Sequence, residues 1–233
     1  FDTDSNGAAM PVFLGEPERP IRFIPYTPGT RWNGIGIGNA RWFGTRWDWC
    51  IIEDSKFGAG AAELPIALDN CIFRNNIRAL GGSSPVSIRK CTFENNVYSY
   101  SGERFAPLHE VDGFLDANHP ANPNTFINNR GNAGPGYEFS FLPEGGLIAR
   151  SRHNSLEDTD SDARNNWWGT PDGPYHPQLN PTGTGDSVFF GIDAGGFLTP
   201  FLTEPPTSNP PPVVRFVTPP LAAVIPGEKI IFQ

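Results

Sequence analysis

A short pattern recurs along the middle of the chain at nearly constant spacing. Cys50-Ile51-Ile52-Glu53-Asp54-Ser55, Cys71-Ile72-Phe73-Arg74-Asn75-Asn76 and Cys91-Thr92-Phe93-Glu94-Asn95-Asn96 align without gaps, 21 and 20 residues apart. Asn124-Thr125-Phe126-Ile127-Asn128-Asn129 repeats the pattern 33 residues on with Asn in place of Cys, and a looser fifth copy starts at Asn154-Ser155-Leu156-Glu157-Asp158. A period near 20 is too short for a propeller blade. It holds two or three short strands and their turns, which is one circuit of a β-solenoid. Leucine-rich repeats share the period, but Leu is not the recurring residue here. In such a circuit each position lies over its equivalent in the next, about 4.8 Å away. Cys50, Cys71 and Cys91 then form one inward ladder, and Ile52, Phe73, Phe93 and Phe126 a second. Asp54, Asn75, Asn95 and Asn128 fall at the following corner, where Asn tolerates a left-handed backbone and its amide can bond the next amide along.

Composition agrees with an all-β chain. The 233 residues include 26 Gly and 25 Pro, yet 38% are hydrophobic with 18 Phe and 6 Trp, too apolar for disorder and too turn-rich for helices. The net charge of −8 argues against nucleic acid as a partner and for cations or neutral polymers. No run of about 18 apolar residues exists, so no membrane span is expected. The chain starts at Phe1 with no leader-like segment, which reads as a processed or trimmed product.

Pro20-Ile21-Arg22-Phe23 to Trp32-Asn33-Gly34-Ile35-Gly36-Ile37, followed by the Cys and Asn ladders, resembles the early and middle coils of right-handed parallel β-helix proteins, the superfamily that includes pectin lyases. Asn165-Asn166-Trp167-Trp168-Gly169-Thr170-Pro171-Asp172-Gly173-Pro174, with Asn180-Pro181 and Gly183-Thr184-Gly185-Asp186, is similar to the closing segment of many secreted bacterial β-helix repeat proteins. The resemblance implies a right-handed parallel β-helix over 18–203 and an extracellular or cell-surface setting. It does not choose a function, because the superfamily hosts lyases, hydrolases, adhesins and structural fibres.

Outside the repeat, residues 1–17 read as an N-terminal arm. Its Asp2, Asp4 and Asn6 match the first half of a calcium loop, but Phe13 stands where a bidentate Glu is needed, and a solvated acidic turn is the alternative. Residues 204–212 are a Pro-rich linker, and 213–233 hold two strand-like stretches, with Val213, Val214 and Phe216 in one and Ile230, Ile231 and Phe232 in the other. Too small to fold alone, they read either as a donor tail for assembly or as the start of a further β domain.

The longest insertion carries His109, Glu110, Asp112, Asp116 and His119, either a polar binding site or a charged solvated loop. Asp158, Asp160 and Asp162 alternate and offer oxygen ligands, so calcium is the one cofactor the residues raise; an acidic turn is the competing account. A lyase needs carboxylates that hold calcium and a base beside the substrate acid. The fourth repeat position instead mixes Glu53, Arg74, Glu94 and Ile127. A hydrolase of the superfamily needs compact aspartates on neighbouring coils. Only Asp112, Asp116 and Asp158 are in range, without the family's motifs, and no catalytic residue is assigned. The odd cysteine count and parallel side-chain directions favour a buried thiol ladder over disulfides. Strand alternation from Cys50 places Trp47 and Trp49 outward, as a sugar-stacking platform or as a cover for the open end of the coils.

These features point to a secreted, non-enzymatic structural or surface protein: a fibre subunit or adhesive module that self-associates. The alternative is a polysaccharide lyase, a hydrolase or a carbohydrate-binding module, with an extracellular polysaccharide as partner.

Overall fold

The computed structural model describes residues 12–37, 45–61, 66–82, 86–101, 115–129, 145–148, 162–176, 179–189 and 198–206. Every regular element among them is a β-strand. The first sheet contains Phe13–Leu14, Thr45–Asp48, Ile66–Asp69, Val86–Arg89 and Leu115–Asp116 in sequential order. The second contains Ile21–Phe23, Cys50–Glu53, Ile72–Arg74, Thr92–Glu94 and Thr125–Ile127. The third runs from Trp32–Ile37 through Ser55–Ala61, Arg78–Gly82, Tyr98–Ser101 and Gly145–Ile148 to Gly185–Phe189 and Pro174–Tyr175. Neighbouring strands pair in parallel throughout, and through its first four rounds the chain visits the three sheets in turn before returning beside its own previous visit. Parallel pairing needs a long return path, and here the other two sheets provide it.

Two sets of left-handed residues turn the chain. Trp49, Asn70 and Lys90 lie between the first and second sheets, and Asp54, Asn75, Asn95 and Asn128 at the corner leaving the second, all with φ from 50° to 57°. The second set sits where the repeat places it. The first set corrects the expectation for Trp47. A left-handed Trp49 breaks the alternation, so Trp47 and Cys50 both point inward and Trp47 is fully buried.

Residues in register form continuous columns. Ile21, Cys50, Cys71, Cys91, Asn124 and Asn166 follow one another in the second sheet and its extension. All three thiols are free and buried. Each donates toward a carbonyl of the first-sheet strand one layer back: Phe13 O for Cys50, Trp47 O for Cys71 and Leu68 O for Cys91. Asn124 continues the series by donating its amide to Ile88 O at 3.1 Å. Cys and Asn are therefore interchangeable at this position because both donate to one row of carbonyls.

The ring column is Phe23, Ile52, Phe73, Phe93, Phe126 and Trp168, with Phe73, Phe93 and Phe126 stacked at 5.1 Å and Trp168 on Phe126 at 4.5 Å. The opposing first-sheet column is Phe13, Trp47, Leu68, Ile88, Ala117 and Ala163. Bulk trades across several layers: Trp47 lies with Ile52, Ala117 with Phe126 and Ala163 with Trp168. Where the first-sheet residue is Ala, a ring from the opposing column fills the layer.

A third column corrects the expected amide ladder by one residue. The stacking groups are Ser55, Asn76, Asn96, Asn129 and Asp186, and the left-handed Asn75 and Asn95 point to solvent. Asn96 shows the pattern: its Oδ1 accepts from the Asn76 N–H at 2.9 Å, and its Nδ2 donates to Phe73 O at 3.0 Å and Asn129 Oδ1 at 2.9 Å. The corner exposes backbone groups to the core, and the buried amide pairs them.

Two segment expectations change. Phe13–Leu14 pairs with Thr45–Asp48, so part of the expected arm belongs to the first sheet. The loose copy at 154–158 lies outside the described residues, and the layer beyond Asn124 is formed by Asn166 instead.

Candidate functional site

The sheets present two surfaces whose chemistry differs. The outer face of the first sheet is polar because the residues alternating with Trp47, Leu68 and Ile88 are Arg46, Asp48, Ala67, Asp69, Ser87 and Arg89. Arg46 reaches Asp69 at 3.3 Å and Asp48 at 3.8 Å, and Asn70 Nδ2 donates to Asp48 at 2.8 Å. In the next layers register places Asp116 beside Ser87, and Asp162 beside Asp116.

Of the polar insertion, Asp116 and His119 are brought together; His109, Glu110 and Asp112 lie outside the described residues. His119 Nε2 is 3.4 Å from Asp116 Oδ2, 3.5 Å from Ser87 Oγ and 3.4 Å from Arg89 Nε. Ser87 also donates to Asp116 at 3.3 Å. All these contacts with His119 converge on one ring nitrogen. A proton relay needs the carboxylate on the nitrogen opposite the one facing the hydroxyl, so this cluster is a set of polar contacts and not a nucleophile, base and orienter in series. Ser87 and Arg89 escaped sequence inspection because about 30 residues separate them from His119.

Asp162 is held rather than open. Arg164 donates to both its oxygens, Nε to Oδ1 at 3.0 Å and Nη2 to Oδ2 at 2.6 Å, and Asn118 donates to Oδ2 at 2.9 Å. Burial by itself would push its pKa up, but the hydrogen bonds from Arg164 and Asn118 outweigh burial and hold the carboxyl below its usual range. Asp158 and Asp160, like Asp2, Asp4 and Asn6, lie outside the described residues. Among the described residues no three His, Cys, Asp or Glu side chains are grouped to hold a metal.

The second surface is the end of the sheets formed by Phe13–Leu14, Ile21–Phe23 and Trp32–Ile37, each the terminal member of its sheet. Phe13 packs edge-on against Phe23 and Trp47, with centroids at 5.2 and 5.0 Å, and Phe23 lies over Trp32 at 6.5 Å. Phe13, Phe23 and Trp32 are only partly buried. Around them Val12, Leu14 and Ile24 are more than half exposed and Tyr26 is fully exposed. An Arg22–Glu53–Arg74 ladder flanks this end, with Arg22 Nη2 at 2.6 Å from Glu53. Burial would raise the Glu53 carboxyl, and the two guanidinium partners outweigh it and hold it below its ordinary value.

The opposite end is covered. Asn166 tops the thiol column, Trp168 the ring column and Asp186 the amide column. Leu202 N–H donates to Asn166 O at 3.0 Å and Asn165 N–H to Pro200 O at 2.6 Å, which lays residues 198–202 across the top. Gly173 has a left-handed φ of +75°, and a Cβ there would lie 2.6 Å from the Phe201 ring, so glycine is required on both counts. The assembly residues named from sequence, Val213, Val214, Phe216, Ile230, Ile231 and Phe232, lie outside the described residues. Trp49 is half-buried at its corner, so of the two proposed sugar-stacking rings Trp47 is excluded by burial. No protein-family model, curated protein or solved structure matches the chain.

Proposed function

We propose that the chain is a right-handed parallel β-helix of the pectin-lyase-like kind, closed by its Asn165–Gly169 segment. It serves outside the cell, secreted or at the cell surface, as a non-enzymatic structural protein, a fibre subunit or adhesive module that assembles through its ends or tail. The supporting observation is the unequal finish of the two ends: three terminal strands framed by exposed Leu14, Ile24 and Tyr26 at one, and the covering segment 198–202 at the other. Unpaired strand edges with apolar surroundings are templates for association. Sedimentation velocity and electron microscopy over a concentration series test it, with growing rods expected. Monodisperse monomers at every concentration would overturn it.

A second reading, recognition or cleavage of an extracellular polysaccharide, is favoured by the convergence of Ser87, Asp116 and His119 beside Arg89. Incubation with acidic and neutral polysaccharides, with and without calcium, decides between them. Release of reducing or unsaturated ends, lost in Asp116→Ala, would replace the structural role with an enzymatic one.

A further inference from the structure

Resting on the assembly reading, we propose that the open end is the acceptor for Val213–Val217 of a second copy, which adds as a strand beside Trp32–Ile37 while the copies stack head to tail. Trp32–Ile37 is the longest of the three terminal strands, and among the described residues it pairs only with Ser55–Ala61. Val213-Val214-Arg215-Phe216-Val217 follows a Pro-rich spacer, contains neither Gly nor Pro, and has a single charge. Such a segment supplies main-chain hydrogen bonds to an edge and apolar side chains on alternate positions.

Reach favours a second copy over the chain's own tail. Ile21, Cys50, Cys71, Cys91, Asn124 and Asn166 mark successive layers, Leu202 lies one layer beyond Asn166, and an added strand lies one layer before Ile21. At about 4.8 Å per layer the span is about 34 Å. Fully extended as polyproline, the eleven residues from Leu202 to Val213 would reach about 34 Å, which only just equals the straight-line span to its own open end. The open end of a copy seated on the cap is adjacent. A head-to-tail contact of this kind does not close on itself and propagates as a filament.

The test uses the full chain with Val214→Asp/Phe216→Asp, which removes the donor, and with Leu14→Lys/Ile24→Lys, which blocks seating. Circular dichroism melting first confirms that both fold. Sedimentation velocity is expected to show concentration-dependent oligomers for the native chain, monomers for either variant alone, and dimers but nothing larger for their mixture. Amide exchange at 32–37 should slow with concentration in the native chain alone. Native-like oligomers from the donor variant would overturn this inference while leaving assembly by another surface standing. Slow exchange at infinite dilution would mean that the chain covers its own edge, and would overturn it too. A native chain that stays monomeric throughout would sink both this inference and the assembly reading.

Discussion

The covered and open ends finish the same columns with different residues. At the covered end Trp168 closes the ring column in full burial, Asp186 closes the amide column through two hydrogen bonds, and a following segment shields both. At the open end the last rings, Phe13 and Phe23, are only partly buried and the strands outside Thr45–Asp48 and Cys50–Glu53 are edges. The covered end contributes to stability within one chain. The open end keeps part of its apolar surface in reserve for contact, and the difference teaches that the columns by themselves do not decide where the molecule stops.

The largest expected effect lies midway between the ends. Phe93→Asp places an unpaired charge in the ring column, and circular dichroism should show no cooperative melt. A mutant melting like the native chain would mean that the ends do not depend on a shared column. Next, Trp168→Ala should cost about 3–5 kcal/mol in urea unfolding, because Ala163 opposite cannot fill the space. Phe13→Ala at the open end should cost less, about 1–2 kcal/mol, since part of that ring is already in water. Equal losses would erase the distinction drawn above.

Smaller still, Asn96→Ala should cost about 1–3 kcal/mol by stranding the Asn76 N–H and Phe73 O. Its neighbour Asn95→Gly should stay within about 0.5 kcal/mol, because Gly accepts the left-handed backbone. The carboxylates near each end add an acid-dependent comparison. Glu53 and Asp162 both have native values lowered from 4.5 and 3.8, so their contribution is complete above those values and is lost as pH falls through the lowered ones. Glu53→Gln should flatten the acid limb of stability below about pH 4.5. Last, Leu14→Lys in dilute monomer should change stability by less than about 0.5 kcal/mol, since the side chain is already mostly in water.

Much of the parallel architecture is legible in the repeat because Cys, Phe and Asn recur with the period of the layers. The first and third repeat positions land in continuous columns, and the corner residues adopt the left-handed backbone. The amide ladder lies one residue from its expected place because adjacent Asn residues look alike in sequence, while the corner turns one to solvent and the other inward. Trp47 points inward against strand alternation because Trp49 is left-handed, and nothing in the sequence marks it so; at the equivalent corner Asn70 is a conventional signal, but Lys90 is not. Asp186 closes a column whose previous member, Asn129, is 57 residues away, beyond any local pattern. The polar cluster was half visible, as Asp116 and His119, and its other half required the register that joins Val86–Arg89 to Leu115–Asp116.

The thiol column has one more consequence. Burial, reinforced by its neighbours Cys50 and Cys91, pushes the Cys71 thiol well above its ordinary value, so alkylating reagents must wait for the backbone to part. Because the three sulfurs are ranked by distance from the open end, the order in which they acquire label records the direction of fraying. A chain that unzips from its first strands gains mass at position 50, then 71, then 91, and mass spectrometry of timed samples reads the sequence of events as a clock.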